Sequence, residues 1–198
     1  MIDVGRPEEK QRLGPLPGIN SVALSPDGRW VAAGSRLRPE VKVWDRATDR
    51  CEMLMPDSMP GSANACVAFS PDGRWLVTGG QDEYRFWEAG SWRLERTIRR
   101  GRREEMPGLI AFAHDGRSMA ITSSQRTIRL VETATGRTLA DLSAPDTQLI
   151  QGVTFGPDDG QLAVATDGRS VQVWDLRAIR GHLASMRLDW DLPPPPRE

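Results

Sequence analysis

The chain has 198 residues, enough for one domain with a sizeable core. Its 26 basic and 27 acidic residues nearly cancel, which removes the long-range field that draws nucleic acid or an anionic membrane surface. No apolar run approaches the roughly 20 residues of a membrane helix, the start Met1-Ile2-Asp3-Val4 has no secretory apolar region, and two cysteines, Cys51 and Cys66, are too few for a disulfide framework.

Residues 1 to 9 read as a flexible tail and Leu13 to Leu16 as a possible outer edge strand, together setting off a segment 1–16. A first repeat, about 18–56, opens on the apolar strand Val22-Ala23-Leu24. Ser25-Pro26-Asp27-Gly28 then makes a turn: proline presets φ, aspartate bonds its own backbone, and glycine relieves the steric limit at the exit. The second strand, Trp30-Val31-Ala32-Ala33, suits packing on both faces. The third, Val41-Lys42-Val43-Trp44, alternates and runs into Asp45, and the more polar Cys51-Glu52-Met53-Leu54 fits a solvent-facing edge.

The same order returns three times. In the second repeat (57–99) it reads Val67-Ala68-Phe69, Ser70-Pro71-Asp72-Gly73, Trp75-Leu76-Val77-Thr78, Tyr84-Arg85-Phe86-Trp87 and a fourth strand over 93–98. In the third (100–143) it reads Ile110-Ala111-Phe112, Ala113-His114-Asp115-Gly116, Met119-Ala120-Ile121-Thr122, Ile128-Arg129-Leu130-Val131 and a fourth strand over 137–142. The fourth repeat (144–176) has Val153-Thr154-Phe155, Gly156-Pro157-Asp158-Asp159, Leu162-Ala163-Val164-Ala165 and Val171-Gln172-Val173-Trp174, but no obvious outer strand. From the end of the fourth repeat into the last segment, 177–198, the period changes: Leu176, Ile179, Leu183 and Met186 predict a short amphipathic helix, and Pro193 to Pro196 end regular structure.

Two markers share one period. Asp27, Asp72, Asp115 and Asp158 are 45, 43 and 43 residues apart, and Trp44-Asp45, Trp87-Glu88, Val131-Glu132 and Trp174-Asp175 are 43, 44 and 43 apart. That period is in the range of four-stranded propeller blades. The expected fold is all-β, four blades of a partial or open β-propeller with a C-terminal helix.

The Ser-Pro-Asp-Gly turn followed by Val41-Lys42-Val43-Trp44-Asp45 resembles the WD40 repeat family over about residues 18 to 176. The tail from Val173 through Pro194 is similar to bacterial WD40 arrays that are often fused to serine/threonine kinases. The resemblance implies scaffolding or sensing, with kinase activity in a different segment. The chain departs from the family in lacking its Gly-His pair: the only histidines are His114 and His182, at other places. This implies that the family's buried polar network is largely missing and that apolar packing takes over, with Trp44, Trp87 and Trp174 as anchors. Val131 stands where the third repeat would carry tryptophan, which predicts a less tightly packed blade. Asp27, Gly28, Asp72, Gly73, Asp45 and Asp175 complete the expected structural residues.

No phosphate loop, zinc-protease motif or nucleophile elbow is present, so no catalytic, cofactor or metal residue is assigned. His114 reads as a turn residue and Asp158-Asp159-Gly160 as an ordinary turn, since the latter lacks alternating oxygen ligands. Cys51 and Cys66 are expected to pack in strands. One charge run stands out: Arg96, Arg99, Arg100, Arg102 and Arg103, followed by Glu104 and Glu105. As a partner site, Arg99, Arg100, Arg102 and Arg103 suit an acidic or phosphorylated peptide. The plain alternative, a solvated loop partly neutralised by its glutamates, is the favoured reading of the residues alone. Replacing all four arginines with alanine is expected to leave stability within about 0.5 kcal/mol.

The expected function is a non-catalytic protein-interaction scaffold in the cytoplasm, partnering a kinase or another signalling protein, with no nucleic acid, membrane or cofactor. The alternatives are an enzyme or small-ligand binder using the propeller channel, and a fragment of a larger kinase-type protein. Seven blades of this length would need about 300 residues. Four should form an open arc that self-associates or is completed by another chain.

Overall fold

The structure, a computed structural model, describes residues 11–37, 40–54, 65–101, 104, 106–143 and 148–190. Blade one holds β1 (Ile19–Leu24), β2 (Trp30–Ser35), β3 (Val41–Asp45) and β4 (Cys51–Leu54). Blade two holds β5 (Cys66–Phe69), β6 (Trp75–Gly79), β7 (Glu83–Glu88) and β8 (Leu94–Arg99). Blade three holds β9 (Ile110–Phe112), β10 (Ser118–Ser124), β11 (Thr127–Glu132) and β12 (Thr138–Ser143). Blade four holds β13 (Ile150–Phe155), β14 (Gln161–Thr166) and β15 (Val171–Asp175), and the helix α1 (Leu176–Ser185) follows. Each sheet is antiparallel in sequence order, four-stranded in the first three blades and three-stranded in the last.

The first hairpin of each blade is set by a tight turn, Asp-Gly in the first three blades and Asp158-Asp159 in the fourth. In blade one the Gly28 N–H donates to the Ser25 carbonyl at 2.8 Å, and the Ser25 hydroxyl accepts from the Trp30 N–H at 2.8 Å. Asp27 accepts from both the Ser25 hydroxyl and the Arg29 N–H. Blade two repeats every one of these bonds with Ser70, Asp72, Gly73, Arg74 and Trp75. Gly28 and Gly73 both sit at φ 71°, the left-handed region that glycine enters without steric cost. In blade four the same position is Asp159, at φ 57°.

Blades pack face to face. Two alternate residues of the third strand lie against the first strand of the next blade: Val41 and Val43 with Val67 and Phe69, Tyr84 and Phe86 with Ile110 and Phe112, Ile128 and Leu130 with Val153 and Phe155. Burying each such side chain contributes about 1.5–3 kcal/mol. The order of contact runs β1 to β5, β5 to β9 and β9 to β13. Among the described residues no comparable contact brings β13 back to β1, so the arc is open.

Several expectations need correction. Val131 leaves no exposed gap in blade three: it is fully buried with Met119, in one cluster with Trp75, Tyr84 and Phe86 of blade two. Leu13 to Leu16 form no strand; the segment is irregular, and Leu13 and Leu16 pack on Val31, Ala33 and Trp44. Cys66 is half-buried in β5, but Cys51 is exposed in β4. In α1 the buried pair is Leu176 and Arg180, while Met186 lies at the C-cap and is exposed. Arg180 is stabilised there by Asp189, at 3.0 Å, and by the face of Trp190. The interior also holds a polar network of its own, at the junction of blades two and three.

Candidate functional site

The arginine run divides along the strand. In β8 and just beyond it, Arg96, Ile98 and Arg100 share one face, and Glu95, Thr97 and Arg99 share the other, which is exposed. Arg100 is only 4% exposed. Its guanidinium donates to the carbonyls of Thr122, Gly80, Gln81 and Met106, at 2.7 to 3.3 Å. It also lies over the ring of Tyr84. Tyr84 is wholly buried, and its hydroxyl donates to the Thr122 carbonyl at 2.8 Å and lies 3.1 Å from the Thr122 hydroxyl. Burial raises the Tyr84 pKa, so the phenol stays neutral. Arg100, Tyr84 and Thr122 thus fasten blade two to blade three. The expectation that four alanine substitutions leave stability unchanged fails at Arg100 for this reason. Arg99 is exposed at the strand end, while Arg102 and Arg103 lie outside the described residues. Arg96 donates to the Thr133 and Ala134 carbonyls and covers the Phe86 ring, so it too works at the blade junction.

The tryptophans and aspartates expected to be structural occupy the third strands and turns. Trp44 and Trp87 are buried, and the Trp87 indole donates to the Thr78 hydroxyl at 3.1 Å. Trp174 is half-buried against blade three and donates to the Gln172 side chain. Asp45 accepts from the Ala47 N–H and from Arg29, whose guanidinium holds the Asp45 pKa below the usual carboxylate range. Asp175 accepts from the Ala178 N–H and caps α1. His114 lies in a turn, as expected, and is bonded there: Asp159 accepts from the backbone N–H groups of His114 and Asp115 and lies 2.9 Å from His114 Nδ1, tying the turns of blades three and four together. Sequence reasoning gave no sign of this link, because it joins turns 45 residues apart.

Two apolar faces remain uncovered. On β1, Val22 and Leu24 are 66% and 57% exposed; on β15, Val171 and Val173 are 69% and 61% exposed. In every other blade the equivalent positions are buried or half-buried in a junction. These faces, at opposite ends of the arc, each leave a pair of large apolar side chains exposed on a strand.

Acid should loosen the molecule at particular links. The Asp45 and Asp189 carboxylates are held below the ordinary aspartate pKa by Arg29 and Arg180, and Asp158 by the Gly160 N–H and then Arg177. A lowered folded-state pKa gives stability that is present above the unfolded value and lost as pH falls through the folded one. The melting temperature is therefore expected to be insensitive to these three groups from neutrality to about pH 4.5 and to fall below about pH 4. The triple change Asp45→Asn, Asp158→Asn, Asp189→Asn should flatten that acid limb; an unaltered limb would show that these pairs carry none of it.

Antiparallel blades of four strands, with three in the last among the described residues, each hinged on an aspartate turn and packed face to face along the chain, define a β-propeller type of repeat protein. The family model described as WD domain, G-beta repeat matches residues 10–45, 59–87 and 136–175, just over half of the chain. The chain belongs to the WD40 repeat family. A comparison with curated proteins finds no match. The unmatched stretch between 88 and 135 includes the Ala113-His114 turn and Val131, the two places where blade three departs from the family pattern. Its strands nonetheless pair in the register of the other blades. Among the described residues no helix is long and apolar enough to cross a membrane.

Proposed function

We propose that the chain is a non-catalytic interaction module that holds another protein, acting as a scaffold in bacterial signalling in the cytoplasm. The observation that carries this reading is the pair of uncovered apolar faces, at Val22 and Leu24 and at Val171 and Val173. WD40 propellers generally mediate protein contacts, and the similarity of the tail to kinase-fused arrays supports a kinase or related enzyme as partner. The guanidinium chemistry of Arg99, Arg102 and Arg103 suits an acidic or phosphorylated segment of that partner. Arg100 is set apart from this group by its burial.

The test uses the purified chain as immobilised bait, with captured proteins identified by mass spectrometry. Changing Val171 and Val173 to lysine should weaken capture of a specific partner by about tenfold or more. Changing Arg99, Arg102 and Arg103 to alanine should do so for an acidic partner, with stability unchanged within about 0.5 kcal/mol. Capture that survives both changes would refute these surfaces. The pure chain is expected not to turn over ATP; turnover abolished by a point mutation within the chain would refute the non-catalytic reading.

A further inference from the structure

The same junction is built three times in this molecule, and its two halves are left over at the ends. On the giving side, blade one presents Ala32, Val41 and Val43 to blade two, and all three are buried. The corresponding face of blade four presents Ala163, Val171 and Val173, the same three residue types in the same cross-strand register, Ala32 opposite Val43 and Ala163 opposite Val173. Nothing within the described residues covers Val171 and Val173. On the receiving side, Val67 and Phe69 of β5 take the face of blade one. Val22 and Leu24 hold the corresponding positions on β1, one residue type the same and the other also large and apolar, and they too are exposed.

A second deficit matches the first. Outer strands share a cluster with the residue that follows the buried pair in the next blade: Ile98 of β8 packs on the cluster that holds Val131, and Leu139 and Leu142 of β12 pack, with Trp174, on the cluster of blades three and four. On blade one the corresponding residue is Trp44, and it is covered by Leu13 and Leu16. The segment also bonds to that blade, the Lys42 ammonium donating to the Pro15 carbonyl at 2.8 Å and the Gln11 amide to the Asp49 carboxylate. Residues 11–16 therefore lie where the outer strand of a preceding blade would lie. Blade four is the blade whose sheet has three strands among the described residues.

We propose that a second copy of this chain covers both faces, blade four of each copy packing on blade one of the other to close a two-chain, eight-bladed ring. In that ring Val171 and Val173 of one copy meet Val22 and Leu24 of the other, and the 11–16 segment runs beside the open edge of the first copy's β15. One contact removes the exposed valines, the exposed β1 face and the missing fourth strand together. The contact is head-to-tail, and a head-to-tail contact gives a closed ring when the rotation closes and an open filament when it does not. Eight blades fall within the roughly four to eight that propellers use. The inference rests on the reading of the end faces as contact surfaces and gives both to a second copy, so that a further partner would be held elsewhere on the ring.

The experiment is light scattering coupled to size exclusion on the full chain at micromolar concentration. The expected mass is twice the chain's 21.9 kDa. Two variants each block one end: Val22→Asp with Leu24→Asp, and Val171→Asp with Val173→Asp. All four residues are exposed, so each variant should retain its far-ultraviolet circular dichroism and run as a monomer. Mixed together, the two variants should recover a dimer, because one intact contact can form between them and none within either alone. Hydrogen exchange should show the edge amides of β15 protected in the wild-type dimer and unprotected in either variant. A wild-type monomer, an open-ended polymer, or a mixture that stays monomeric would overturn the ring. The scaffold reading is decided separately, by capture of a partner.

Discussion

Replacing Arg100 with methionine is expected to cost the fold about 3 kcal/mol and to lower the melting temperature by roughly 6–12 °C. The methionine keeps much of the apolar stem but removes a guanidinium that donates to four carbonyls. Three of those carbonyls keep another donor: Gly80 accepts from the Gly108 N–H, Gln81 from the Glu104 N–H and Thr122 from the Tyr84 hydroxyl. The Met106 carbonyl stands to lose most. Hydrogen bonds to a charged donor contribute about 1.5–3 kcal/mol each, and the remaining donors and entering water offset part of the sum. Arg99→Ala is the control, because Arg99 is exposed one residue away. Equal melting temperatures for the two variants would show that the buried guanidinium does not hold the second and third blades together.

The second large effect is expected at Gly79. It ends β6 in ordinary extended backbone, so its requirement is for space. A Cβ at this position would come closer than 3.0 Å to the Gly108 carbonyl oxygen and to the Tyr84 ring. The carbonyl is backbone, in a loop already tied to Gly80 through the Gly108 N–H at 3.0 Å, and Tyr84 is held by Thr122. Neither neighbour can yield cheaply, so Gly79→Ala should cost at least the upper part of the roughly 1–3 kcal/mol usual for overpacking. Gly181→Ala makes the opposite case. Nothing lies within 4 Å of its built Cβ and it sits inside α1, so the change should stabilise by about 0.5–1 kcal/mol. Chemical denaturation of the pair should move the midpoints in opposite directions; movement in the same direction would contradict the space argument.

The blades were legible because turn chemistry and strand alternation recur in phase. Asp27 and Gly28 announce a hairpin from their own chemistry, and the alternation of Val41-Lys42-Val43 announces which side chains face a neighbour. Exposure of the end faces was legible in kind from the count of repeats. What failed was the treatment of the arginine run as one patch. The signal that would have separated its members was present: Ile98 fixes the inward face of β8, and a period of two then places Arg96 and Arg100 inward and Arg99 outward. The partners of Arg100 were not legible, since backbone carbonyls at Gly80, Gln81, Met106 and Thr122 carry no mark of residue type. The Asp159 link to His114 was hidden for the same reason, since two of its three contacts are to backbone N–H groups.

Asp45 and Asp175 close the third strands of the first and last blades with the same side chain, and the chain leaves them by different routes. At Asp45 the carboxylate accepts from the N–H two residues on, Ala47, and Asp49 at φ 55° turns the backbone into β4. At Asp175 it accepts from the N–H three residues on, Ala178, and the backbone winds into α1. A step of one residue in the acceptor's choice thus decides between returning along the sheet and departing from it. The fork is local. It lies in Arg46-Ala47-Thr48-Asp49 against Leu176-Arg177-Ala178-Ile179, and the second sequence has the leucine and isoleucine that bind a helix to blade three's cluster. The open flank of the last sheet is therefore written at a single junction, where four residues choose the direction of travel.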